Sequence, residues 1–448
     1  MAATINHSGL PGPSDSLPWK FNTGEEFKPR SGNQTIKPES DVYVVPAVRW
    51  AFYFFVAVIP FETVELGIPL EVTMIALGLL LLSLVFQLPL CFRKPPLAFG
   101  LFVLYMSILS APYLFIDETY ADEAEWQLMV QAQGILICWI AYNVMRSYRV
   151  ARNALLILGL SCSLVALLQL SGIAESVTYF GPLTKRTTAF GFHPNNIARI
   201  LSLGLLGLVG LAYGFKRSYI QPRYVVWIGF AIIGTAIVQT GSRGGLLALG
   251  AGILVFVLRT GNASAKIRNA FLVLCGLGFF LIVAMQFENT MSRFESAFED
   301  GKLARRELIY PMAWEMFLKK PVFGWGITTA QYELGARLGH VDEDSKNAHN
   351  LVLNTLISTG LLGGIPLFAG TLLAVWAAWK ARQGSRGILP LAMIATVLVA
   401  NMSGNWISNK LHWLVVAFAL ASASVLAVKR KSGRNLKPDP GSSRIAFE

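Results

Sequence analysis

Residues 350–378 read NLVLNTLISTGLLGGIPLFAGTLLAVWAA, 29 positions without one charged side chain. A bilayer core of about 30 Å is crossed by about 20 helical residues, so this stretch spans with length to spare. Working outward, the runs between charged breaks give twelve candidate spans: 46–61, 68–90, 97–116, 127–145, 153–171, 195–214, 224–240, 243–258, 270–286, 350–378, 388–402 and 410–428. The whole chain agrees. Of 448 residues, 54% are hydrophobic and only 14% charged, against about 25% charged in a soluble domain. That leaves too little polar surface to coat several water-soluble domains, so the sequence reads as an all-α integral membrane protein.

The loops set an orientation. Those after even-numbered spans carry Arg93 and Lys94; Arg146, Arg149 and Arg152; Lys216, Arg217 and Arg223; Arg259, Lys266 and Arg268; and Lys380, Arg382 and Arg386, and the C-terminal tail opens with Lys429, Arg430 and Lys431. Loops after odd-numbered spans carry Glu62 and Glu65, then Asp117, Glu118, Asp122, Glu123 and Glu125, then an uncharged stretch from Asn401 to Asn409. The positive-inside rule places both termini in the cytoplasm and the acidic loops outside. A net charge of +12 thus reports topology and points away from nucleic acid. Cys91, Cys138, Cys162 and Cys275 lie in apolar runs or at their edges, with neither a disulfide pattern nor zinc spacing.

The domain plan follows. Residues 1–45 are rich in Pro, Ser, Gly and mixed charge without an apolar core, a disordered cytoplasmic tail rather than a signal peptide. Spans one to nine occupy 46–286 and spans ten to twelve 350–428, with a basic cytoplasmic tail at 429–448. Between them lies one long external loop, 287–349, with 8 Lys/Arg and 10 Asp/Glu from Phe287 to Ala348. It contains amphipathic stretches such as Arg306–Lys319.

Three spans begin on the outer face with polar chemistry. The sixth opens with Arg186 in its lead-in, then His193-Pro194-Asn195-Asn196, with Arg199 about one turn inside. The eighth opens with Thr240-Gly241-Ser242-Arg243-Gly244-Gly245, and the tenth with Asn347-Ala348-His349-Asn350. Helix N-termini present unpaired N–H groups and roughly half a positive charge, which suits an anion. Gly244 and Gly245 can let a ligand approach the backbone, or let two helices pack closely. Ser242 can act as a helix cap. With Arg186, Arg199 and Arg243 the set forms a receptor for a diphosphate at the membrane surface. Arginine inside a span costs roughly 2.5 kcal/mol or more unless it snorkels or faces a cavity, which singles out Arg199.

Of five histidines, His7, His193, His340, His349 and His412, His349 is the best candidate for chemistry. On a helix, Leu353, Leu356 and Gly360 share its face, with Gly363 nearby. A histidine above a glycine-lined groove can meet a headgroup whose lipid tail lies below; alternatively the glycines accommodate another helix. No histidine shows metal-ligand spacing.

These elements resemble a known family. His349-Asn350, nine intervening residues and Gly360-Leu361-Leu362-Gly363 resemble the His-Asn…Gly-x-x-Gly signature of the O-antigen ligase and polymerase superfamily. Thr240–Gly245 resembles the Ser-Arg-Gly stretch opening its shared domain. Lys185-Arg186 with Phe190–Asn195 resembles its upstream Arg…His-Pro-Asn element, and Arg306 with Pro321–Gly326 its long external loop. The likeness covers roughly residues 180–370; Tyr310 stands where that loop often carries tryptophan.

The resemblance implies a GT-C-like, inverting, metal-independent glycosyltransferase without a cofactor. It would move a preassembled glycan from undecaprenyl diphosphate at the periplasmic face of the bacterial inner membrane. Ligases use lipid A–core as acceptor; polymerases use the next lipid-linked repeat. In this scheme His349 is the base, Arg186 and Arg243 stabilise the leaving diphosphate, and Arg199 and Arg306 orient the donor or order the loop. A ligase is the first expectation and a polymerase the second. A transporter or flippase is a more remote third, since midplane polar features are few.

Overall fold

The computed structural model describes residues 42–63, 71–93, 95–179, 185–214, 224–257, 305–339 and 346–434, with isolated helical positions between 267 and 285. The helices are α1 (Pro46–Val58), α2 (Val72–Ser83), α3 (Leu97–Ser110), α4 (Glu118–Val144), α5 (Tyr148–Leu170), α6 (Pro194–Val209), α7 (Tyr224–Gln239), α8 (Arg243–Val257), α9 (Arg306–Lys319), α10 (Thr329–Arg337), α11 (Leu351–Ala381), α12 (Leu389–Met402) and α13 (Lys410–Arg434). Among the described residues, five segments are long and apolar enough to cross a membrane by length and composition: Val72–Leu90, Leu97–Phe115, Tyr148–Leu170, Pro194–Tyr213 and Leu351–Ala381. Shorter apolar helices occupy Pro46–Phe61, Val226–Gln239, Arg243–Phe256, Leu389–Met402 and Lys410–Ser424. The chain is a multi-pass, essentially all-helical membrane protein. The expected span 270–286 and most of the tails lie outside the described residues, as does 287–304 of the long loop.

Two features depart from the sequence expectations. First, a small antiparallel hairpin, β1 (Glu175–Tyr179) with β2 (Lys185–Ala189), stands where only a loop was expected. Its two-residue period turns Arg186 and Thr188, 4% and 0% exposed, toward the helices. Second, α4 begins well before the expected 127, because Asp117 caps it by accepting a hydrogen bond from Thr119 N at 2.9 Å.

Small residues let the helices approach. A Cβ on Gly159 or Gly204 would strike Leu208 or Cys162 across the α5–α6 contact, and one on Gly252 would strike Thr396 between α8 and α12. Such close contact is how helices associate where surrounding lipid is as apolar as the side chains. At one end of the bundle the buried Arg386 donates to Met145 O, to Arg146 O at 3.3 Å and to Ser422 Oγ at 3.1 Å. The expected basic side is thus tied together by one guanidinium. At the other end lie the starts of α6, α8, α11 and α13, where the buried Lys410 pairs with Glu62 and, at 3.4 Å, with Glu71.

The helix α11 is interrupted at Gly360, whose φ of 61° and ψ of −158° are open essentially only to glycine. Broken backbone at membrane depth persists only where protein satisfies it. Residues 321–326 do so: Trp325 N and Gly326 N donate to Ile357 O and Ser358 O at 2.8 and 2.9 Å. In return Leu361 N and Leu362 N donate to Pro321 O and Val322 O at 2.8 and 3.1 Å. A Cβ on Gly360 would collide with the Val322 carbonyl. Gly360 therefore lines neither a lipid groove nor a helix contact. It receives the backbone of residues 321–326, and above Gly363 sits the Thr359 side chain.

Candidate active site

The starts of α6, α8 and α11 converge as the sequence suggested, and each is built locally. Pro194 occupies the first turn of α6 behind His193, whose Nδ1 accepts from Asn195 N at 3.3 Å. A ring nitrogen in that role carries no proton, so His193 is held neutral with its other nitrogen as donor. Asn350 caps α11, its Oδ1 accepting from Val352 N and Leu353 N at 2.9 and 3.2 Å. Ser242 caps α8 through Gly245 N at 3.1 Å.

Arg186 enters from the hairpin. Its Nε donates to Thr240 O at 2.7 Å and its Nη2 to Asn195 Oδ1 at 3.1 Å, an oxygen that also accepts from Ser242 Oγ at 2.9 Å. The upstream Arg…His-Pro-Asn element and the Ser-Arg-Gly element are therefore one hydrogen-bonded unit.

A second unit is organised by the α12–α13 loop. Arg199, 3% exposed, donates from Nη2 to Ser403 Oγ at 3.2 Å. Arg306 donates from Nη2 to Ser403 O at 2.7 Å. The absence of a side chain at Gly404 leaves room for the Arg199 guanidinium, which a Cβ there would displace. Tyr310 Oη donates to Met402 O at 3.2 Å and lies 3.4 Å from His349 O, while Asn350 Nδ2 donates to Met402 O at 3.4 Å. Arg243 stands at the start of α8 within electrostatic reach of Arg306 and Glu307. The space above Gly244 and Gly245 is taken by Ser403 and Ala198, so their small size serves packing.

His349 precedes α11 rather than lying on it. Its φ of 49° is unusual for a side-chain-bearing residue, and its N–H is held by Asn347 Oδ1 at 2.9 Å. Strain of this kind gathers at functional sites. Partial loss of hydration, followed by Arg306, Arg199 and Lys346, lowers its pKa below the usual 6.5, although solvent still reaches the residue. For His193, also reached by solvent, partial loss of hydration and then Arg186, Arg199 and His349 push the pKa down to about 4. Neutral imidazoles among arginines can accept a proton while the guanidiniums hold an anion.

Sequence reasoning missed Ser403 and Gly404. Both fall in the stretch noted only as uncharged, although Asn401-Met402-Ser403-Gly404-Asn405 is conspicuously polar between two apolar runs.

Comparison with known proteins gives two findings. Residues 228–368 match the family described as O-antigen ligase, a segment holding Arg243, Arg306, His349 and Asn350 but not Arg186 or Arg199. The chain is also similar to the teichuronic acid biosynthesis protein TuaE of Bacillus subtilis (strain 168), with 25% identity over 279 residues, 58% of this chain. That match spans 57% of the relative's length. The resemblance to the O-antigen ligase and polymerase superfamily thus stands over residues 228–368, which leaves out the upstream Arg…His-Pro-Asn element.

Proposed function

We propose that this chain is a polyprenyl-diphosphate-dependent glycosyltransferase of twelve membrane spans, working at the periplasmic face of the bacterial inner membrane with both termini cytoplasmic. The observation that carries this is the gathering of Arg186, Arg199, Arg243 and Arg306 around two neutral histidines at one end of the bundle. Undecaprenyl diphosphate supplies the anion and the tail. His349 takes the proton of the acceptor hydroxyl as its oxygen attacks the anomeric carbon. The bond to the diphosphate oxygen breaks, and the leaving lipid diphosphate departs with the electron pair against the arginines. Attack opposite the leaving group inverts the anomeric centre.

The first choice of acceptor is lipid A–core, making the protein an O-antigen ligase, in line with the description of the matching family. The second is a lipid-linked repeat, making it a polymerase. A deletion strain separates them. Accumulation of long lipid-linked polymer supports the ligase, and products one repeat long support the polymerase. Purified protein that moves substrate across liposomes without changing it would overturn both.

A further inference from the structure

Two loops, 346–350 and 403–408, serve the cationic cluster and also wall a second cavity of about 210 Å³. Its polar lining is made of uncharged groups: Gln127 and Gln131 from α4, Gln331 from α10, Asn354 and Ser358 from α11, and Asn405. No charged side chain lines it among the described residues. Part of this set is already paired and fixed. Gln331 Nε2 donates to Gln127 Oε1 at 2.9 Å, and Gln131 Nε2 to Ser408 Oγ at 3.0 Å.

Four oxygens are not paired. Gln131 Oε1, Asn354 Oδ1, Ser358 Oγ and Asn405 Oδ1 are buried without a hydrogen-bond partner in the protein, on residues of which the first three are 5%, 9% and 3% exposed. A buried polar group left unsatisfied costs about 1–3 kcal/mol, so four of them on residues that line one cavity point to a ligand that brings donors as these side chains turn toward it. An ion would sit there without a counter-charge, and a hydrocarbon tail would leave the oxygens orphaned. A neutral polyol satisfies both constraints, since its hydroxyls donate to the oxygens. The ring of Tyr105 and the side chains of Leu109 and Ile407, also in the lining, suit the C–H face of a pyranose. The volume lies below the ~300 Å³ at which drug-sized sites begin, a space for one sugar ring.

We propose that this cavity binds a single uncharged sugar residue of the glycan substrate and so selects neutral over acidic sugars beside the reacting centre. That the sugar belongs to a transferred glycan rests on the function proposed above; the binding chemistry does not.

The test is saturation-transfer NMR on the full chain in nanodiscs free of glycosidic detergent. The probes are methyl glycosides of glucose, galactose, mannose, rhamnose, N-acetylglucosamine and N-acetylgalactosamine, with methyl glucuronide as the charged control. At least one neutral glycoside should receive saturation and the glucuronide should not. Asn354→Leu and Ser358→Ala should each cut the signal at least fivefold with an unchanged or raised unfolding temperature, because each removes an orphaned oxygen. His349→Ala should keep the signal. The proposal is overturned if no neutral glycoside binds, leaving a water-filled cavity only. It is also overturned if the glucuronide binds equally, if both variants retain the signal, or if both lower the unfolding temperature. Glycoside binding in a protein that transfers no glycan would sink the transferase function alone; transfer without glycoside binding would sink this site alone.

Discussion

The protonation state of His349 ties the chemistry to its surroundings. Partial loss of hydration and the neighbouring Arg306 and Arg199 disfavour the imidazolium, so the base stays in its working form below the usual pKa of histidine. Transfer should therefore hold as pH falls past 6.5 and decline only further down, and replacing Arg306 by Gln should move that acid limb to higher pH. A pH profile of kcat/KM for the two proteins checks this. The kcat of Arg306→Gln should also fall about 10²-fold, the usual effect of removing one donor aimed at developing negative charge. His193 has a stability counterpart. Its pKa is depressed from 6.5 to about 4, so the unfolded chain binds the proton first. The stability it contributes is complete above pH 6.5 and is lost as pH falls toward 4. Solvent still reaches the ring, which makes the effect modest. Unfolding temperatures of wild type and His193→Asn should converge at the acid end of that window.

Among the elements, the broken α11 and the segment 321–326 form one mechanical piece. Four backbone hydrogen bonds join them, and they meet at Gly360 and Gly324, the latter with φ of 70° and with room only for hydrogen against Ser358 and Thr359. A Gly360→Ala change adds backbone strain of about 1–3 kcal/mol to a collision with Val322. We expect a clear drop in the thermal unfolding midpoint and loss of transfer, whereas Gly363→Ala, meeting only the Thr359 side chain, should be milder. Here the sequence was partly legible. The Gly-x-x-Gly spacing and the Pro321–Gly326 run were both visible, but their mutual contact was not, because backbone-to-backbone hydrogen bonds across distant segments leave no periodicity to detect. The helices were legible from their apolar runs and Ser242 as a cap, whereas the caps at Asp117, His193 and Asn350 were not read. The hairpin was not. Its strands are five residues each and mostly polar, without the apolar alternation that marks a half-buried strand.

For the whole molecule, the division of charge is what organises the site. One end is bound by Arg386 to the loop carbonyls of Met145 and Arg146; the other collects Arg186, Arg199, Arg243 and Arg306, with Glu307 within electrostatic reach of Arg243. The sequence revealed the first through loop charges and the second through motif residues, yet the loop that joins the second, Ser403-Gly404, carries no charge and so drew no notice. If the proposed orientation holds, Lys346→Cys should react with a membrane-impermeant maleimide added outside intact spheroplasts, and Lys380→Cys only after permeabilisation. Since the arginines supply the positive charge, chelator should leave transfer unchanged.

The most direct test of the central claim is glycan transfer from a polyprenyl-diphosphate donor by purified protein, run in parallel with His349→Ala and with lipid A–core or a lipid-linked repeat as acceptor. We expect wild type to transfer to one of the two acceptors, and the folded His349→Ala protein to lose at least about 10²-fold in rate while still binding donor. Wild-type rates in that variant would contradict the assignment of His349 as the base.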